Sequence, residues 1–329
     1  MKIVLLTGHR KSGTTLLSKL IDGHPELMSY PTDLSVLYAV FPKYTQMWKN
    51  QRVQLNRRFR KVIYQTLRDS GISFGAQGSA RRYAETIYSH MSLMPESEKN
   101  DPGKILMRLV RGWLDARRIR NESCTTKIFL KETSQLVYLP GLRKVCRDLK
   151  VIVLIRDPRD NFAAIYAGMK KHYGKFGETD NSALASTVNR LKFDLSLATY
   201  YRQIKPPWMF FCKFENLVCR PEVEMKKICR FIGISFNLGL LQPTVEGLSA
   251  TGNNYEGKKF RGIFSGHVAK YRSRLPDFHI KILEWFLEKE MKEWGYLPKS
   301  FQIAPRHLQA IDQFYRWYNS HYFYKDSFR

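Results

Sequence analysis

Apolar positions along the chain fall into short continuous runs, separated by stretches where they recur at helical spacing. Residues 2–7 are almost all apolar and predict a short strand buried on both faces. A glycine-bounded loop, 8–13, follows, and the spacing then predicts a helix over 14–22 that Gly23 and Pro25 stop. From about 33 to 126 no comparable run occurs. Basic and aromatic residues recur there at helical spacing over 48–68 and 77–92, which predicts a helical insertion.

Alternation then resumes with a strand at 127–130, a helix from about 139 to 148, a strand at 151–155, a helix at 160–171 and a longer helix near 183–204. A strand at 209–214 and a helix opened by Pro221 and running to Phe231 complete the series. A Gly-, Asn- and Lys-rich loop spans roughly 247–266, and a helix follows over 276–294. The last stretch, 308–324, is aromatic and basic. Aromatics at helical spacing usually join a core, so docking on the body is the first expectation, with peripheral membrane contact as the alternative. The predicted class is α/β: three layers around a central, mainly parallel sheet, with a P-loop-like strand–loop–helix at the N-terminus. A single domain over 1–329 is expected, with an insertion at 34–126 and a tail at 300–329.

Composition narrows the class. With 43% hydrophobic and 26% charged residues the chain reads as globular, and no run of about 18 apolar residues could span a bilayer. The first apolar run is too short for a signal-peptide core, which predicts a cytoplasmic location. The five cysteines, Cys124, Cys146, Cys212, Cys219 and Cys229, contain no C-x-x-C pair, so neither a disulfide framework nor a zinc site is expected. A net charge of +26 draws anionic partners without choosing among nucleic acid, glycan, lipid and nucleotide.

The choice falls to motifs. GHRKSGTT, residues 8–15, sets two glycines five apart between a predicted strand and helix, so backbone N–H groups and the helix N-terminus converge on an anion. In a nucleotide-hydrolysing P-loop a lysine follows the second glycine directly. Here that place is Thr14, and the cation is Lys11, inside the loop. The arrangement points away from a triphosphate.

A second motif lies at the end of the predicted strand 151–155. Arg156-Asp-Pro-Arg-Asp160 brings two arginines to the carboxyl edge of the sheet, where open α/β folds bind ligands. A surface ion pair with Asp157 or Asp160 is the plainer reading of Arg156 and Arg159.

GHRKSGTTLLSKLIDGHPEL resembles the 5′-phosphosulfate loop of sulfotransferases that use 3′-phosphoadenosine-5′-phosphosulfate (PAPS), in their bacterial and carbohydrate-modifying branch. VIVLIRDPRDNFAAIYAG is similar to the 3′-phosphate motif of that family. LKETSQLVYLPGLRKV, FCKFENLVCRPEVEMKKICRFIGI and SGHVAKYRSRL resemble family segments in order and spacing. The resemblance implies PAPS as donor, adenosine 3′,5′-bisphosphate (PAP) as product and no metal. It assigns the donor site to Arg10, Lys11, Ser12, Gly13, Thr14, Thr15 and Arg156. The family's serine eight positions after the arginine is Ala164 here, and Lys258, Lys259 and Arg261 are candidates to replace it.

For the chemistry, Lys11 and Arg10 are expected to stabilise the bridging and sulfuryl oxygens. Lys131 resembles a lysine that faces the sulfuryl group. Asp33 lies near a family glutamate and is the first candidate base, with a loop or capping role as its plainer reading and Glu132 in reserve. His24 reads as a cap or core contact, whereas His9 and His267 sit in predicted ligand loops. The implied acceptor is a hydroxyl of a glycan, glycolipid or other small molecule, and no nucleic-acid motif accompanies the charge. Two alternatives stay open. One is a nucleotide kinase or NTPase using Thr14 or Thr15 with Asp157 for Mg²⁺. The other is a non-enzymatic binder of an anionic polymer through Arg57, Arg58, Arg60, Lys61, Arg81 and Arg82.

Overall fold

The computed structural model describes residues 2–34, 57–69, 79–118, 127–172, 180–245, 247–250 and 262–320. The strands are β1 (Lys2–Gly8), β2 (Leu27–Asp33), β3 (Lys127–Lys131), β4 (Lys150–Ile155) and β5 (Met209–Lys213), with a small pair, β6 (Thr244–Val245) and β7 (Leu248–Ser249). The α-helices are α1 (Thr14–Ile21), α2 (Arg57–Asp69), α3 (Ala80–Ser92), α4 (Pro102–Ala116), α5 (Leu139–Val145), α6 (Pro158–His172), α7 (Asp180–Ile204), α8 (Phe214–Cys219), α9 (Pro221–Ile232), α10 (Asp277–Phe286), α11 (Glu288–Glu293) and α12 (Leu308–Tyr318).

Five strands form one parallel sheet in the order β2-β3-β1-β4-β5. Alternate residues of β1 serve opposite faces. Val4 and Leu6 join α1 and α9 through Leu17, Leu20, Met225 and Ile228 on one side. Ile3 and Leu5 join the larger cluster on the other, with Trp113 of α4, Phe162 of α6 and Leu191 of α7. Burial on both faces explains why β1 and β4 read as unbroken apolar runs. The layers are helix, sheet, helix, as expected.

The spacing predicts neither the small pair β6 and β7 nor three larger elements. β2 lies at the sheet edge with Pro31 inside it and an irregular register between Ser29 and Asp33. An edge strand tolerates the missing N–H, but the proline hides the strand from pattern reading. Helix α4, itself part of the 34–126 insertion, packs Leu109, Val110 and Trp113 into the larger cluster, and the Asp101 side chain caps it at Gly103 N (2.8 Å) and Lys104 N (3.1 Å). Helix α8 starts on the residue after β5, leaving no loop to announce it. The helix expected over 276–294 is broken at Leu287 into α10 and α11. Helix α12 docks on the body through Ile311, Phe314 and Tyr318, all buried. No helix among the described residues is long and apolar enough to cross a membrane.

Candidate active site at the strand ends

The carboxyl ends of β1, β3 and β4 bring the singled-out residues together. After Gly8 the chain turns tightly, with Ser12 N donating to His9 O (3.1 Å). Lys11 takes a left-handed conformation (φ 64) and Gly13 another (φ 99) before α1 begins. At Gly13 the second condition is space: a Cβ there would lie 2.3 Å from Cδ2 of Phe214. Glycine is therefore required both by its dihedral and by the phenyl ring under the loop.

Arg156, at the end of β4, is the clamp on this loop. Its Nη1 donates to Lys11 O (2.8 Å) and its Nη2 to His267 O (3.2 Å). The guanidinium lies over the Phe214 ring at 4.4 Å. Burial pulls its pKa down, while Asp160, Glu215 and Asp157 oppose the shift. A guanidinium carries five N–H donors, so two carbonyl contacts leave others for a ligand, and the Nε–H is buried without a partner. The Ser12 hydroxyl is likewise buried and unpartnered. Such groups beside a loop that leads into the N-terminus of α1 suit the oxygens of an anion.

Arg159 behaves differently. It is buried and paired with Asp157 (2.7 Å) and Glu284 (2.8 Å), so the ion-pair reading holds for Arg159 and not for Arg156. Asp160 instead accepts from Ala269 N (2.6 Å) and Tyr271 N (2.8 Å), which pins the segment after Gly262 over the end of β4. Lys258, Lys259 and Arg261 lie outside the described residues. Ala164 is partly buried on α6.

Across the loop, Lys131 ends β3 buried, with its Nζ 2.8 Å from Asp33 Oδ1 and 3.2 Å from Thr15 Oγ1. Three residues from separate parts of the sequence thus meet: Thr15 of the loop, Asp33 at the end of β2 and Lys131. Asp33 is about half exposed (44% of its side chain) and open to a hydroxyl arriving from solvent. Glu132 turns inward, its Oε1 accepting from Thr133 N at 2.8 Å, which removes it from the same space. His24 is a structural contact, with Nε2 on Ser235 O at 2.8 Å. Phe214 and Asp194 are site residues that the motifs did not single out. The local signal for Phe214 is an aromatic closing the predicted strand 209–214, which in the structure ends one residue earlier at Lys213.

A family model described as "Sulfotransferase family" matches residues 4–237. The chain belongs to the sulfotransferase family. The sulfotransferase fold extends well beyond the matched segment. The structure is similar to a sulfotransferase domain from the curacin biosynthetic pathway, with 16% identity over 95% of this chain and 96% of that one and a TM-score of 0.52. A sulfotransferase domain from the olefin synthase of Synechococcus PCC 7002 matches with 16% identity over 96% and 94% (TM-score 0.48). A mouse sulfotransferase solved with PAP matches with 10% identity over 95% and 89% (TM-score 0.48). No curated protein matches this sulfotransferase by sequence.

His9 gives the site a testable acid sensitivity. Burial lowers its pKa against the pull of Asp194, so the unfolded chain takes up this proton first as the pH falls below about 6.5. Stability is thus present above that value and declines beneath it, by at most about 1.4 kcal/mol per pH unit for one proton. In urea titrations at pH 7.5 and 5.5, His9→Asn is expected to show a shallower loss than the parent protein. Equal slopes would mean that His9 titrates alike folded and unfolded.

Proposed function

We propose that this sulfotransferase takes its sulfuryl group from PAPS and passes it to a hydroxyl of a glycan, glycolipid or other small molecule. The observation that carries the reading is Lys11, a cation inside the phosphate loop whose carbonyl is gripped by Arg156, with no lysine after Gly13 to serve a triphosphate.

The residues present fit the donor. The N–H groups of the loop, Ser12, Thr14 and Thr15 hold its 5′-phosphate end, and Arg156 takes the 3′-phosphate. When bound, PAPS supplies the electrophilic sulfur. Asp33 accepts the acceptor's hydroxyl proton as the new S–O bond forms. Lys11, with Arg10, neutralises the phosphate oxygen from which the old S–O bond breaks, and Lys131 holds the sulfuryl oxygens in line. The excess of 55 Lys and Arg over 29 Asp and Glu favours an anionic acceptor surface.

Calorimetry with PAP, and separately with ATP and Mg²⁺, tests the donor. Metal-independent binding of PAP in preference to Mg·ATP is expected, and the reverse preference would sink the proposal in favour of a kinase. A second expectation concerns Ala164. Installing the hydroxyl that the family motif carries, by Ala164→Ser, adds a hydrogen bond to a charged group, typically about 1.5–3 kcal/mol. PAP affinity should rise by roughly tenfold or more, and an unchanged affinity would show that the 3′-phosphate is not held on this face of α6.

A further inference from the structure

Both halves of the site meet a third element, α7. The Asp194 carboxylate, buried on that helix, accepts from His9 Nδ1 (2.6 Å) and from Ser134 Oγ (2.7 Å), both bonds falling on the same oxygen, Oδ2. A carboxylate only accepts, so it holds the imidazole with its proton on Nδ1. His9 opens the phosphate loop, and its carbonyl receives Ser12 N. Ser134 lies three residues past Lys131 and returns its own N–H to Gly8 O at 2.9 Å. One buried oxygen therefore joins the loop that carries Lys11 to the turn that follows Lys131.

The backbone is strained on both sides of that oxygen. Lys11 (φ 64) and Ser134 (φ 54) occupy the left-handed region, which residues with a Cβ rarely adopt. Such conformations cost about 1–3 kcal/mol each and persist where the surroundings over-determine them. Neither turn is a glycine that falls into this shape freely. The hydrogen bonds to Asp194 and Gly8 secure Ser134, as Arg156 does Lys11.

We propose that Asp194 is a positioning residue for sulfuryl transfer, setting Lys131 relative to the phosphate loop by gripping His9 and Ser134 together. This rests on the donor reading above. Asp194 itself touches no reacting atom. Its effect reaches the sulfuryl group through the two cations, while the 3′-phosphate contacts at Arg156 lie outside its grip.

The test compares the parent protein with Asp194→Ala, Asp194→Asn and Ser134→Ala, first without ligand. Amide exchange in Asp194→Ala is expected to quicken by on the order of tenfold over 8–15 and 131–137, with β5 unchanged. Asparagine keeps an acceptor oxygen and should restore most of the protection. Ser134→Ala should loosen 131–137 alone, and it decides the matter if Asp194→Ala does not fold. Unchanged exchange in these segments overturns the proposal. Titrations with PAP and PAPS then separate positioning from mere support. PAP affinity should fall, because the loosened loop also holds its 5′-phosphate, while the ratio of PAPS to PAP affinity shifts by roughly fivefold or more. Loosened exchange with an unchanged ratio makes Asp194 a structural residue only, and again overturns the proposal. A parent protein that binds neither nucleotide refutes the donor reading instead, and the exchange data still judge the link between the two turns.

Discussion

Replacing Lys11 with alanine should cut sulfuryl transfer by on the order of 10²–10³, the usual cost of losing one preorganised group at a developing charge. The fold should survive. It is the backbone carbonyl of Lys11, not its ammonium, that Arg156 grips, and the left-handed conformation at φ 64 is as costly for alanine as for lysine, since both carry a Cβ. The measurement is kcat/KM for PAP release with whichever acceptor supports turnover, beside thermal unfolding and PAP calorimetry. A folded variant with full activity would remove Lys11 from the chemistry.

Arg156→Ala carries the second large effect, on binding. Charge-assisted hydrogen bonds contribute about 1.5–3 kcal/mol each, so affinity for PAP should fall roughly 10- to 100-fold. Adenosine 5′-phosphosulfate, which lacks the 3′-phosphate, should lose much less. The comparison matters because Arg156 is also a clamp. Without it the Lys11 and His267 carbonyls lose a donor and the Phe214 ring loses its cation, so some loss common to every ligand is expected. Equal losses for both nucleotides would leave Arg156 as scaffold alone.

What could be read from the residues was whatever local physics writes locally. The loop 8–15 announces itself because the strand, the two glycines and the following helix are contiguous. The run 151–155 and the arginine that follows it are similarly plain, as a stretch buried at every position has no polar residues to confuse its pattern. β2 was obscured by Pro31, and it is β2 that delivers Asp33 to Lys131, so the ion pair followed from no pattern within either segment. Arg156 and Arg159 were indistinguishable as letters in one motif. Their fates diverge because Asp157 and Glu284, the latter from a distant helix, close on Arg159, whereas Arg156 reaches the carbonyls of Lys11 and His267. Asp194 is the extreme case: an aspartate in a long helix, 185 positions from the histidine it holds. No spacing rule carries a contact of that separation.

The strand order also bears on how the molecule is made. β1 is central, and its neighbours begin at Lys127 and Lys150, far along the chain. No local hairpin can shelter it meanwhile, and parallel pairing between distant segments is slow to form. During synthesis the apolar run of β1 and the loop behind it must wait, unpaired, for the ribosome to deliver β3 and β4, and the Asp160 latch waits longer still for Ala269 and Tyr271. That interval exposes an aggregation-prone strand. Yield in a cell should therefore respond to chaperone supply and translation rate more than the stability of the finished protein would indicate.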